Sequence, residues 1–90
     1  MPLYAIICRD RPGHLQTRLD TREAHLAHIR DSGIVQLAGP LIEDGEMCGS
    51  LVVVEAADAA AAQEWADADP YRAAGLFQST EIIEWKRAFG

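Results

Sequence analysis

Basic residues are scarce in this chain. Lys and Arg number 8 against 14 Asp and Glu in 90 residues, a formal net charge of −6. Binding along a nucleic-acid backbone rests on clustered Lys and Arg, so no nucleic-acid partner is expected. Cysteine is scarcer still: Cys8 and Cys48 are the only two, and no C-x-x-C or metal-ligand spacing occurs. No disulfide framework follows from such a pair. No apolar run is long enough to span a bilayer, and the start Met1-Pro2-Leu3-Tyr4 has no basic region. No membrane partner is expected, and a soluble, cytoplasmic protein is the default. Repeats, linkers and low-complexity segments are also missing. What is present is apolar: 49% of residues are hydrophobic and 24% charged, a balance that argues against disorder. The expectation is one small domain over 1–90, short enough to gain from oligomerisation.

The pattern along the chain alternates strand and helix. Leu3 to Arg9 reads as a first strand, broken by Arg11-Pro12-Gly13. From about Leu15 to Ser32 the spacing is helical, with Leu15, Leu19, Leu26 and Ile29 on one face. Gly33 is its C-terminal cap, and Asp20 or Thr21 offers an alternative N-cap. Ile34 to Ile42 is a second strand carrying Gly39-Pro40, which belongs at an edge, an end or a bulge. Asp44-Gly45 marks a hairpin turn. Gly49 to Ala56 is a third strand whose run Leu51-Val52-Val53-Val54 does not alternate, so both its faces are expected to be buried. Asp58 caps a helix over Ala59 to about Ala68, and Asp69-Pro70 opens a short helical turn that Gly75 closes. Leu76 to about Lys86 is a fourth strand. The order β-α-β-β-α-β predicts an α+β, ferredoxin-like sandwich: a four-stranded antiparallel sheet with two main helices on one face. The third strand then needs cover on the other face. A second copy would supply it, so a homodimer is expected, with Trp85 as a contact.

Few residues carry chemistry. Arg18, Arg22 and His25 share one stripe of the first helix at i, i+4 and i+7, beside Ile29. Histidine suits acid/base work because its unperturbed pKa is about 6.5. A carboxylate on one ring nitrogen would fix the tautomer, and Asp69 is the candidate. Asp69 before Pro70 also reads as a helix cap, and both roles fit one carboxylate. His25 also fits a hydrogen-bonded boundary residue. Arg22 either snorkels over apolar surface or holds an anion. Ser50 offers a hydroxyl, Gly39 a close approach of backbone to ligand, and Tyr71 a wall. His25-x-x-His28 lacks a further ligand for a metal, since zinc sites want three or four, and His28 is expected on the polar face. His14 is expected to be solvated. No phosphate-cradling glycine loop opens a helix, so no organic cofactor is expected.

Together, Arg22-x-x-His25-Leu26, Gly39-Pro40, Gly49-Ser50 before an apolar strand, Asp69-Pro70-Tyr71 with Ala74-Gly75-Leu76-Phe77, and Ile83-x-Trp85 resemble the YciI-like (YCII-related) family over nearly the whole chain. The resemblance implies a dimeric α/β barrel and a His-Asp active site, carried here by His25 and Asp69. It associates the chain with dehydrochlorination of hydroxylated chloroaromatics, and more distantly with muconolactone isomerases. Either reaction rests on fold-level analogy. Three readings stand: a lyase or isomerase using His25 and Asp69 for proton transfer on a small molecule held by Arg22 and Ser50; a non-catalytic ligand-binding module; and a structural dimerisation domain.

Overall fold

The computed structural model describes residues 1–90. The elements are β1 (Leu3–Asp10), α1 (Leu15–Ser32), β2 (Val35–Glu43), β3 (Glu46–Glu55), α2 (Ala59–Asp67), α3 (Pro70–Ala73) and β4 (Phe77–Trp85). The sheet order is β2-β3-β1-β4, with every neighbouring pair antiparallel. This is the ferredoxin-like α+β fold. Local chemistry sets the boundaries. Asp44 and Gly45 both adopt positive φ, 50° and 78°, as a two-residue hairpin requires. Pairing therefore runs right up to the turn, and β3 begins at Glu46 rather than Gly49. Gly33 ends α1 in the left-handed region at φ 70°. Asp58 accepts from the Ala61 amide at 2.9 Å, and Asp69 accepts from the Tyr71 amide at 2.9 Å with Pro70 at the first helical position. Pro40 lies on β2, an edge strand, where its missing amide hydrogen is tolerated.

The core lies between the sheet and the helices. Tyr4, Ile6 and Cys8 of β1 and Val52 and Val54 of β3 pack with Ala62, Trp65 and Ala66 of α2. Ile29, Val35, Phe77 and Ile82 close its edges. Burial pushes the Cys8 thiol up to about 11, so it stays a neutral core group.

Helix α1 does not lie as its leucines suggest. It starts at Leu15, behind an His14 that makes no side-chain cap, and not at Asp20 or Thr21. Leu19 and Leu26 are 47% and 42% exposed, and Leu15 is exposed as well. The buried positions are Arg18 and His25, at 3% and 6%. Both side chains have carboxylate partners, described below, and those partners make the inward turn tolerable. His28 is also half-buried rather than on a polar face. Its Nε2 lies 3.0 Å from the Trp65 carbonyl and its ring stacks on Trp65. His14 is half-buried too, with Nδ1 3.0 Å from the Pro12 carbonyl oxygen.

The opposite sheet face carries no helix. Val53 and Ala5 are buried there, but around them Leu37, Ile83 and Trp85 are exposed and Leu3, Ile7 and Leu51 half-buried.

Two expectations follow. A Cβ on Gly49 would stand 2.2 Å from the Cys8 carbonyl oxygen. That neighbour is backbone and cannot swing away, so Gly49→Ala should lower unfolding free energy by about 2–4 kcal/mol in urea titration. Cys8 binds its proton more tightly folded than unfolded, its pKa rising from 9.0 to about 11. Stability should therefore be intact below pH 9 and fall by about 2–3 kcal/mol as pH rises to 11. Cys8→Ala should flatten that alkaline limb in melts recorded across the same range.

Candidate active site

The site forms where α1 and α3 meet the sheet. Asp69, in extended backbone just before α3, directs one oxygen, Oδ1, at two donors. It accepts from the Tyr71 amide and lies 2.9 Å from His25 Nδ1. Asp69 and His25 are both buried. The Tyr71 ring stacks on His25 with centroids 4.0 Å apart and planes 17° from parallel. Phe77 meets Tyr71 edge-on at 5.9 Å. The imidazole is thus fixed by a bond in its plane and a ring on its face.

An ionised carboxylate only accepts, so the contact with Asp69 favours the His25 tautomer with its hydrogen on Nδ1. Nε2 has no hydrogen-bond partner in the protein. Every side-chain nitrogen or oxygen sealed from solvent does have one, so Nε2 opens on accessible space. That space is a cleft of about 160 Å³ lined by His25, Arg18, Arg22, Gly39, Ser50 and Tyr71, among others. In the neutral imidazole this nitrogen is a proton acceptor.

Arg18 completes the arrangement. Its Nε and Nη2 both donate to Asp10 at 2.8 Å, a two-point grip, and Nη2 also donates to Ser50 Oγ at 2.9 Å. Its guanidinium carbon lies 4.7 Å over the Tyr71 ring. Burial disfavours the charge of Arg18, but the bonds to Asp10 outweigh it, and its pKa ends above the usual value. Burial likewise raises the pKa of Tyr71, against the opposing pull of Arg18, so the phenol keeps its proton at neutral pH.

Of the residues singled out in the sequence, His25 and Asp69 are in direct contact. Ser50, Tyr71 and Gly39 line the same cleft, and Arg22 stands exposed at its rim without an ion-pair partner. A Cβ on Gly39 would meet nothing within 4 Å, so this glycine keeps the wall low rather than relieving a clash. Asp10 and the bonds of Arg18 were not foreseen. The one signal for them was the place of Arg18 on the Arg22–His25 stripe. Behind Asp69 lies a second cavity of about 110 Å³, between α2, α3 and the sheet, which Ser50 and Cys8 also border.

A family model for the YCII-related domain matches residues 2–86. Protein YciI of Escherichia coli is 37% identical, with 97% of this chain and 99% of that protein covered. An uncharacterized protein of Haemophilus influenzae is 32% identical, with 96% and 98% covered. Among solved structures, 5-chloro-2-hydroxyhydroquinone dehydrochlorinase (TftG) of Burkholderia phenoliruptrix, in complex with 2,5-dihydroxybenzoquinone, is similar with a TM-score of 0.85 at 34% identity, covering 96% of this chain and 95% of that one. An antibiotic biosynthesis monooxygenase, at TM-score 0.62 and 10% identity, shares the fold alone. Matched by the family model over almost its full length and more than a third identical to a YciI protein, this chain belongs to the YCII-related family.

Proposed function

We propose that this protein is a small, cofactor-independent enzyme of lyase or isomerase type. His25 Nε2 acts as general base on a small polar substrate, and Asp69 orients the imidazole and stabilises its protonated form. The observation that carries this reading is the buried 2.9 Å His25–Asp69 contact with the other ring nitrogen open to a cleft. A cleft of about 160 Å³ suits one six-membered ring, since a cavity of about 150 Å³ holds benzene. Arg22 at the rim supplies an unpaired cation for an anionic group, and Ser50, Gly39 and Tyr71 shape the wall. In an elimination, the proton passes to His25 while the leaving group departs with its bonding electrons. In an isomerisation, His25 returns the proton elsewhere on the substrate. The similar dehydrochlorinase, with a hydroxylated quinone bound, supports the first.

The helix cap made by the same Asp69 oxygen is an independent structural role. It accounts for Asp69 being needed even in a module that only binds. Substitution separates the two roles. Asparagine keeps an oxygen for both bonds and removes only the charge.

Assembly belongs to the same proposal. The helix-free sheet face exposes Leu37, Ile83 and Trp85 around a buried centre. A patch of this kind marks an interface, and a two-fold copy laid sheet to sheet closes the barrel.

Three measurements test this reading. The 15N spectrum of neutral His25 should show the hydrogen on Nδ1; an Nε2–H tautomer in the wild type removes the base from the cleft and ends the proposal. Chloride release from 5-chloro-2-hydroxyhydroquinone should fall about 10²–10⁴-fold in His25→Ala. In Asp69→Asn it should fall about tenfold to a hundredfold, the worth of a charged hydrogen bond, with melting temperature nearly unchanged because Asn caps as well as Asp. Sedimentation should show a dimer for the wild type and a folded monomer for Ile83→Glu, whose side chain is 53% exposed in the single chain.

A further inference from the structure

Asp69 uses only one of its two carboxylate oxygens on the protein. Oδ1 accepts from His25 and from the Tyr71 amide, while Oδ2 has no protein donor. A carboxylate offers about four acceptor sites, and Asp69 is only 3% exposed. Yet no sealed polar atom lacks a partner, so Oδ2 touches accessible space. Asp69 does not border the cleft. It borders the second cavity, which His25, Arg18 and Arg22 do not reach.

That cavity suits water better than an apolar guest. Its volume is about 110 Å³, and a water in the liquid takes about 30 Å³. Buried Ile6, Cys8 and Trp65 give it an apolar floor, but its exposed border is polar: Thr80 of β4, Gln63 and Asp67 of α2, and Arg72 of α3. Gln63 and Arg72 both donate to Asp67, a bonded row along the mouth. Thr80 Oγ1 lies 3.7 Å from the Cys8 sulfur. Burial is the main reason that the Cys8 thiol is raised to about 11, and the Asp69 charge adds to it. The carboxylate is thus felt across this cavity.

We infer that the second cavity is a water site. A few ordered waters, entering between α2, α3 and β4, donate to Oδ2 of Asp69, and Thr80 anchors them on the sheet. A buried water takes two to four polar partners, and Oδ2, Thr80 Oγ1 and the polar mouth supply them. The inference rests on the proposed function only for the use made of the water. There, a ligand in the cleft closes the front of the site. A buried carboxylate short of donors takes up a proton rather than stay charged. Water at the rear keeps Asp69 an anion while the cleft is filled, and the anion is what stabilises protonated His25. Thr80 is a positioning residue in this scheme, since it borders the rear cavity and not the cleft.

The test combines crystal structures of the full chain, native and under xenon pressure, with the 13C carboxyl signal of Asp69 at neutral pH. Water should lie within hydrogen-bond distance of Oδ2, and xenon, which enters dry apolar cavities, should stay out. Ala66→Leu places three more carbons against the cavity and should displace the waters. The Asp69 signal should then move from its ionised toward its protonated position, and kcat for chloride release should fall about tenfold, the worth of one hydrogen bond, with KM unchanged. Thr80→Val, at an exposed position and nearly equal volume, should weaken the water and shift the signal in the same direction, and it carries the test if Ala66→Leu does not fold. Xenon in the cavity, Arg72 folded onto Oδ2 in place of water, or an Asp69 signal that no folded variant moves overturns the inference. Water on Oδ2 in a chain that releases no chloride leaves the site standing and counts against the proposed function. A dry cavity in an active enzyme does the reverse.

Discussion

One carboxylate oxygen, Oδ1 of Asp69, holds the site together. It accepts from the first amide of α3 that needs a partner and from an imidazole on α1, forty-four residues earlier in the chain. Both bonds are required by burial. A carboxylate this far from water is costly without donors, and an imidazole beside it would otherwise be free to choose its tautomer. Because the same atom starts α3, the backbone that places Tyr71 over the His25 ring and the bond that orients that ring are not independent. Shifting the cap by one residue moves base, stacking partner and orienting group together.

The second constraint is the inward turn of the polar stripe of α1. Buried ion pairs are weak contributors to stability, because desolvation offsets much of the attraction. A helix with leucines at 15, 19 and 26 had an apolar face to offer, yet it presents Arg18 and His25 to the sheet. Each is matched by a carboxylate from a different element, Asp10 at the end of β1 and Asp69 before α3. Departures of this kind from the apolar-in rule are expected where a fold carries a site. The cleft is where this stripe leaves groups not wholly consumed by the protein.

Most of the fold was legible because local signals agreed with one another. Asp58 and Asp69-Pro70 named helix starts, Asp44-Gly45 named a hairpin, and period two or 3.6 named the elements between. His25 and Asp69 were legible through the helical stripe and the motif order, and Asp69 was the carboxylate expected on the imidazole. The face of α1 was misread because periodicity identifies a stripe without saying what it meets. Arg18 could be placed on the stripe, but nothing in Asp10-Arg11-Pro12-Gly13 separates a buried ion-pair partner from the polar flank of a turn. Likewise His28 was expected on the polar face, until Trp65, thirty-seven residues on, supplied a carbonyl and a ring. What sequence left out in each case is a long-range partner.

The charge of the chain bears on how a ligand would enter. A surface with net charge −6 repels free anions at long range, and the effect fades only beyond the screening length of about 8 Å at physiological salt. Inside the cleft the charges offset one another: Arg18 is paired with Asp10, and Arg22, which has no ion-pair partner, offsets the charge that Asp69 keeps beside a neutral His25. In the proposed function these two facts fit a ligand that arrives as a neutral acid. It gives its proton to Nε2 of His25 and becomes an anion beside the Arg22 guanidinium. A ligand charged from the outset would meet the repulsion without needing the base.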